Sequence, residues 1–258
     1  MSSSKKTPAI NNANESAVPS GRFARLSRFG ALATTVAGSV VKNGTKQLAQ
    51  GKRPRLSSLL MTPKNAMRVA DQLSQLRGAA MKLGQLVSMD AGDMLPPQLA
   101  EIMARLRQDA KHMPRKQLLA VLEREWGENW DDRVREFNLT PIAAASIGQV
   151  HEAISLEGEK LAIKIQYPGV RDSIDSDIDN VATILRFTGL VPKTFDLAAL
   201  LAEAKKQLHE EADYLREAEC IKKYTEALGD DDRFEIPTVD TSLTTRGILA
   251  MRYVDGMP

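Results

Sequence analysis

The chain has 258 residues, of which 43% are hydrophobic and 26% are charged. This apolar fraction is sufficient for a folded core, so the chain as a whole is not intrinsically disordered. Its single cysteine excludes an internal disulfide framework and a zinc site built from several cysteines. No run of apolar residues approaches the roughly 18 that indicate a transmembrane helix.

The net charge of +2 conceals an uneven distribution. Residues 1–60 contain ten lysines and arginines and one glutamate, a charge of +9, and the rest of the chain carries −7. Residues 1–20 are rich in Ser, Asn, Lys and Pro, which predicts a disordered tail. Residues 21–50 combine helical apolar spacing with three arginines and predict a basic amphipathic helix. Such a helix is suited to an anionic membrane, to docking on the protein's own body, or to an organellar transit peptide.

Residues 61–137 are predicted to form a mainly helical region. Thr62-Pro63 has the pattern of a helix start, and apolar residues then recur at helical spacing. Trp126 and Trp130 lie four positions apart and are predicted to pack in the core rather than bind a ligand.

The apolar period changes near Phe137, where a second kind of structure is predicted to begin. Small residues indicate a loop followed by an apolar strand, and residues 161–166 alternate as a strand does. The fold class expected is therefore α+β, with domains at residues 1–60, 61–137 and 138–258. The remaining predicted elements are helices over 170–187 and 196–228, the second ended by Gly229, an extended segment over 234–239 and a buried strand within 246–254.

Lys164 is the most informative residue, since a lysine inside a strand must either face water or have its charge matched. An edge-strand lysine facing water is one explanation. The other follows from the order of a small-residue loop, a strand lysine, a helix with acids and a further strand. A protein-kinase nucleotide-binding lobe has this order, and its lysine grips phosphates and pairs with a helix glutamate. The loop here lacks G-x-G-x-x-G, and its alanines should make it stiffer than a glycine-rich loop.

Four segments resemble motifs of the UbiB/AarF/ADCK atypical kinase-like family, occur in the family's order and span residues 60–258. They are Lys82-Leu83-Gly84-Gln85 for the KxGQ motif, residues 141–151 for the alanine-rich loop, Leu161-Ala162-Ile163-Lys164 for the lysine strand, and residues 211–217 for the ExD segment with the helix glutamate.

The resemblance implies a kinase-like N-lobe that binds ATP or ADP. Lys164 would contact the phosphates and pair with Glu217, which makes these two the expected catalytic residues. Lys82 would pair with Glu211, and Gln85 and Asp213 complete the expected regulatory motif. The residues expected around the nucleotide are Ala143, Ala144, Ala145, Ser146, Ile147, Gly148, Gln149, Val150, Ala162, Lys164, Met251 and Tyr253.

Simpler interpretations of these residues remain open at this point. Lys82 could equally be a solvated lysine on the surface of a helix. Glu211 and Asp213 could equally belong to an exposed acidic helix face. Ser146 and Gln149 are equally suited to capping the loop. The strand that contains Met251 is equally typical of ordinary core. The histidines lack the spacing of metal ligands, and no metal site is expected.

No segment resembles the catalytic-loop or metal-binding aspartate motifs of a kinase C-lobe. The implied protein is thus an N-lobe with the C-lobe absent, either a fragment of a longer protein or the product of a truncated or split gene. Alone it should have little or no phosphoryl-transfer activity, and it should bind Mg²⁺ only if a C-lobe is supplied. The family is associated with ubiquinone biosynthesis and isoprenoid lipids at a membrane. The alternative function is a non-catalytic regulatory or membrane-associated lipid-binding module.

The expected partners are an adenine nucleotide, an anionic membrane surface, an isoprenoid lipid and the missing C-lobe. Nucleic acid is not expected, because the basic arm lacks interleaved aromatic residues. The expected location is the cytoplasm or the inner face of a membrane, and organellar targeting stays open.

Overall fold

The computed structural model describes residues 112–188, 196–229, 231 and 233–256, and five isolated positions. The predictions for the tail, the basic helix and most of the helical region before residue 112 therefore lie outside the described residues. The isolated positions are Gly38, Gly78, Ala79, Lys82 and Leu86, and each of them is helical.

An antiparallel sheet of five strands forms the centre of the described part. Its main order is β1-β3-β4-β5, and β2 also pairs with β3. β3 and β4 form a hairpin whose connection includes Gly158 at a φ of 93°, a left-handed conformation that glycine tolerates. The strands are β1 (Glu136–Phe137), β2 (Ala143–Ala144), β3 (Gly148–Ile154), β4 (Lys160–Gln166) and β5 (Ile248–Arg252).

Helices pack around this sheet, so the predicted α+β fold class is confirmed. A short 3-10 turn at Trp130–Arg133 leads from the first helix to β1. Among the described helices, none is both long and apolar enough to cross a bilayer. The α-helices in the described ranges are α1 (Arg115–Trp126), α2 (Val170–Thr188), α3 (Leu197–Glu211) and α4 (Tyr214–Leu228).

The prediction of one continuous helix over residues 196–228 is wrong, because α3 and α4 are separate. α3 ends at Glu211, and the N–H of the following C-cap residue, Ala212, donates to the Leu208 carbonyl at 2.9 Å. Asp213 has a non-helical ψ of 84°, and its carboxylate accepts the Arg216 N–H at 3.2 Å. Aspartate is a preferred N-cap because its side chain satisfies one of the free amides of the first turn. The break therefore has a local chemical cause.

The predicted extended segment at residues 234–239 forms little sheet. Among its residues that the structure describes, only Val239 is in a β-bridge, an isolated one to Met251. Backbone bonds from the Asp240 N–H to Ala250 and from the Arg252 N–H to Thr238 keep this segment beside β5. The segment covers the free edge of β5 and reduces the exposure of unpaired strand amides.

One part of the core lies between one face of the sheet and α1, and buried residues of α2 and α3 belong to the same cluster. Leu161, Ile163 and Ile165 alternate along β4 and are at most 2% exposed, in one cluster with Leu118 and Trp126. Burying such a side chain contributes about 1.5–3 kcal/mol. Trp126 packs in the core as predicted, and its indole N–H donates to the Leu243 carbonyl at 2.8 Å. The domain boundaries stay predictions, although α1 shares this core with the sheet.

Candidate functional site

The second face of the sheet carries half-buried side chains around Lys164, beside the fully buried Leu249 that lies opposite it. The register places Val150 opposite Lys164, and Ala162 opposite Met251. Directly opposed residues project to the same face of a sheet, and residues two apart along a strand share that face. Four of the residues expected around a nucleotide therefore lie together on a surface that is neither core nor fully solvated.

Lys164 on this face forms the ion pair expected with Glu217 of α4. Its ammonium nitrogen lies 2.8 Å from Oε1 and 3.0 Å from Oε2 of the carboxylate. The two side chains are 20% and 31% exposed, so water screens the pair only in part. An ammonium has three N–H donors, and this geometry uses two of them. Among the described residues, one donor of Lys164 is left for a further anion.

The start of α4 fixes the position of Glu217. The Glu217 N–H donates to the Asp213 carbonyl at 2.9 Å, and the Asp213 side chain caps the same turn. A carboxylate in the first turn of a helix is favoured by the positive end of the helix dipole. Asp213 is expected near Lys82 as part of the regulatory motif. In the structure its carboxylate accepts the Arg216 N–H and caps α4.

Tyr214 also contacts Lys164, and sequence reasoning missed it. Its side chain is fully buried, and its ring centroid lies 4.9 Å from the Lys164 nitrogen. Burial, together with the nearby charges of Glu217 and Glu211, raises the pKa of Tyr214 well above its usual range. The signal available in the sequence was the spacing, since an aromatic three residues before the helix glutamate lies on the same face of a helix.

Glu211 at the end of α3 connects two segments that the sequence places far apart. Its Oε1 lies 3.4 Å from the Lys82 ammonium nitrogen, and its Oε2 accepts the Ser146 hydroxyl at 3.1 Å. The expected pairing of Lys82 is present, and Lys82 is not the solvated lysine considered above, since its side chain is 15% exposed. Glu210 instead contacts Arg216 at 3.6 Å. Gln85 lies outside the described residues.

The alanine loop is a tight hairpin. Ala143 and Ala144 pair with Val150 and Gln149 as β2 and β3, and the Ala145 N–H donates to the Gly148 carbonyl at 2.9 Å. No described residue other than glycine has a positive φ, so the alanines adopt ordinary conformations. Backbone bonds on both sides and the Ser146 contact with Glu211 hold the loop in place.

Gly148 is required by close packing rather than by its φ angle. A Cβ at this position would lie 2.3 Å from the Ile165 carbonyl oxygen and 3.1 Å from the Tyr214 hydroxyl. The first distance is far below a van der Waals contact, and the atom belongs to a backbone that cannot move independently. The hairpin and Tyr214 thus approach each other at a point where only glycine fits.

Gln149 does not face the site. It is 1% exposed, and its Oε1 accepts the Met113 N–H at 2.9 Å while its amide nitrogen lies 2.8 Å from His151 Nε2. His151 Nδ1 lies 2.8 Å from the Asn138 carbonyl, which only accepts, so Nδ1 carries the proton and Nε2 accepts from the amide. The expectation of a phosphate contact for the Gln149 side chain is therefore corrected.

His151 belongs to this buried network and is 0% exposed. The pKa of His151 is lowered to about 4, mainly by burial, with the hydrogen bond to Asn138 acting in the opposite direction and the nearby His112 adding to the lowering. Ile147, another residue expected near the nucleotide, is 1% exposed and packs its side chain into the core. Only the backbone of Ile147 is left to face a ligand.

The expected hinge follows β5. Met251 is half-buried, and the Tyr253 N–H donates to the Lys160 carbonyl at 2.9 Å. The Lys160 ammonium lies 3.9 Å from the centroid of the Tyr253 ring. Because the Tyr253 amide is already bonded, this residue can offer an adenine its ring or its carbonyl but not its N–H.

The sequence matches the ABC1 atypical kinase-like domain over residues 105–258. Among curated proteins, the atypical kinase COQ8, mitochondrial, of Saccharomyces cerevisiae is 40% identical over 93% of this chain and 48% of the relative. The atypical kinase COQ8B, mitochondrial, of Rattus norvegicus is 38% identical over 96% of this chain and 47% of the relative. The AarF domain-containing protein kinase 1 of Xenopus laevis is 29% identical over 75% of this chain and 37% of the relative.

Among solved structures, a Mycobacterium tuberculosis protein in complex with erythromycin is 30% identical in sequence. The match covers 76% of this chain and 49% of the M. tuberculosis chain, with a TM-score of 0.47. The chain spans about half the length of the curated kinases named above, COQ8 and COQ8B. The domain match covers more than half of the chain, in agreement with the motif resemblance. The chain therefore belongs to the ABC1 (UbiB/AarF/ADCK) atypical kinase-like family.

Proposed function

We propose that this chain is the nucleotide-binding portion of a UbiB-type atypical kinase or ATPase. The observation that carries the proposal is the Lys164–Glu217 ion pair on the half-buried face of the sheet. The carboxylate holds the ammonium at 2.8 Å and 3.0 Å and leaves one donor free, which suits an anionic phosphate oxygen. Ala162 and Met251 lie opposite each other on the same face and provide an apolar surface for the adenine.

The regulatory part of the proposal rests on Glu211. Its carboxylate bonds the alanine loop through Ser146 and, through Lys82, the helical positions 78, 79, 82 and 86, called here the KxGQ helix. This arrangement keeps the helix against the loop that would cover the phosphates, so access to the site depends on these two contacts. We expect residues 1–258 by themselves to show little phosphoryl transfer, and Mg²⁺ to bind only together with aspartates of a C-lobe.

Calorimetric titration of ATP and of ADP into the protein tests the nucleotide site. A hydrogen bond to a charged group contributes about 1.5–3 kcal/mol, so Lys164→Ala should weaken binding by about 10- to 150-fold. The matched control is Lys222→Ala, which removes the same charge from an exposed position on α4. The control should bind as the wild type does.

Equal affinities of the wild type and Lys164→Ala would contradict the proposal. A loss of binding in Lys164→Ala counts only if the variant keeps a cooperative unfolding transition, because Glu217 then loses its partner in a half-buried position. Glu217→Gln provides a second test. It keeps the shape of the side chain but releases the ammonium, and should weaken binding in the same direction.

The wider role proposed is support of ubiquinone or other isoprenoid lipid metabolism, with an adenine nucleotide, a C-lobe and an isoprenoid lipid as partners. COQ8 and COQ8B relatives carry "mitochondrial" in their names, which supports organellar targeting over a cytoplasmic location. The identity of the lipid would be sought by mass spectrometry of lipids that copurify with the protein.

The alternative is a non-catalytic, membrane-associated module, favoured by the charge of +9 on residues 1–60. Such a charge is attracted to an anionic lipid surface, and less so as salt rises. Flotation with vesicles that contain anionic lipid, compared between the full chain and a variant lacking residues 1–55, tests this. Equal flotation of both would remove the arm from membrane binding.

A further inference from the structure

Two side chains approach the Lys164 ammonium. The carboxylate of Glu217 contacts it in the manner of an ion pair, and the ring of Tyr214 lies 4.9 Å away, measured to the ring centroid. A cation within about 6 Å of an aromatic centroid is attracted by the negative face of the ring. Both partners come from the first turn of α4, three residues apart on one face of the helix.

The ring is buried more completely than the other two groups, and dense packing restricts its movement. Tyr214 is 0% exposed, whereas the side chains of Lys164 and Glu217 retain 20% and 31% of their exposure. A lysine has four rotatable side-chain bonds, and a single carboxylate partner fixes its end but not its path. A fixed ring beside the ammonium removes much of that remaining freedom.

The hydroxyl of Tyr214 does not take part in holding Lys164 in the described part of the structure. It is buried and has no hydrogen-bond partner among the described residues. It lies beneath Gly148, where a Cβ would come within 3.1 Å of it. A buried hydroxyl without a partner is unfavourable, so the reason for an aromatic residue at this position lies in the ring.

We propose that Tyr214 is a positioning residue for Lys164, with its buried ring and the Glu217 carboxylate together holding the ammonium toward the nucleotide phosphates. The direction toward phosphate rests on the proposed function. The contact between ring and ammonium does not, and it is tested separately.

The contact is tested by NMR on the nucleotide-free protein. The ε-methylene signals of Lys164, assigned by comparison with Lys164→Arg, should show an upfield ring-current shift. The shift should persist in Tyr214→Phe, which keeps the ring, and disappear in Tyr214→Met, which fills a similar volume without one. Absence of the shift in the wild type would overturn the inference even if Tyr214→Met does not fold.

The consequence for binding is measured as a double-mutant cycle with ADP. Tyr214→Met should weaken binding by about 2- to 30-fold, the range of a cation–π contact, and Tyr214→Phe should not. In a Lys164→Ala background, Tyr214→Met should produce no further change, which a general loss of structure would not imitate. A full effect that persists in that background would refute the positioning role.

The two proposals fail in different ways. If the wild type shows the ring-current shift but binds no adenine nucleotide, the proposed function fails and the contact stands. If the wild type binds ADP and the shift is absent, the nucleotide site stands and Tyr214 has no role in it.

Discussion

The contact between the KxGQ helix and the alanine loop predicts the effect of one added methyl group. Gly78 is helical and buried, and a Cβ built on it would lie 2.8 Å from Ile147 Cγ2 and 3.4 Å from the Ser146 carbonyl oxygen. Gly78→Ala should therefore push the helix away from the loop. The same movement would strain the contact from Lys82 to Glu211, which already measures 3.4 Å.

The size of the effect follows from the overlap. Two carbon atoms prefer a separation of about 3.5–4.0 Å, so the new methyl group would overlap Ile147 by about 0.7–1.2 Å. Ile147 is 1% exposed and β-branched, and it has little freedom to move aside. Overpacking of this kind costs about 1–3 kcal/mol. Alanine in place of glycine within a helix returns about 1 kcal/mol.

Gly38→Ala isolates the packing term. Gly38 is also helical, but it is exposed, and a Cβ on it would meet no atom within 4 Å. Since the gain in helix propensity is shared, the two variants should differ in free energy of unfolding by about 1–3 kcal/mol, with Gly78→Ala the less stable. Urea unfolding measures this difference. Equal stabilisation by both substitutions would refute the contact between the helix and Ile147.

Two further predictions concern the core. Burial lowers the pKa of His151 from 6.5 to about 4, so the unfolded chain binds more protons between these values. Stability should therefore fall by about 3 kcal/mol as the pH drops from 6.5 to 4. Urea unfolding across this range checks it, and His151→Gln should reduce the slope. Glu125 accepts from the Thr245 hydroxyl at 2.7 Å and the Gly247 N–H at 3.2 Å. Glu125→Ala should cost about 1–3 kcal/mol in thermal or urea unfolding, and the exposed Glu123→Ala on the same helix less than about 0.5. Equal losses for the two glutamates would contradict the bonds at Thr245.

The sequence predicted the local structure where the apolar period is strong. The alternation in residues 161–166 corresponds to β4, and the predicted helix over 170–187 is observed as Val170–Thr188. Both patterns arise because one face of each element is buried, and that burial leaves its period in the sequence. The break between α3 and α4 leaves no signal of this kind in the sequence. The helical spacing of apolar residues continues on both sides of it, and only one capping aspartate marks the interruption.

The contacts that build the site were less accessible to sequence reasoning. Glu211 meets Lys82 across 129 positions and Ser146 across 65, and no spacing rule connects residues at such distances. The Lys82 and Lys164 pairings were expected only through the family resemblance. The Ser146 contact and the burial of Tyr214 depend on how the hairpin and α4 pack together, which local patterns do not determine.

The break at Asp213 explains how two glutamates six residues apart serve neighbouring parts of one site. In an uninterrupted helix, residues six apart point about 120° away from each other. With the helix broken, Glu211 ends α3 and bonds Ser146 in the loop, while Glu217 begins α4 and bonds Lys164 on the adjoining strand. The capping aspartate thus acts on the site through the backbone direction it imposes. A continuous helix with the same residues would leave one of these two partners without its carboxylate.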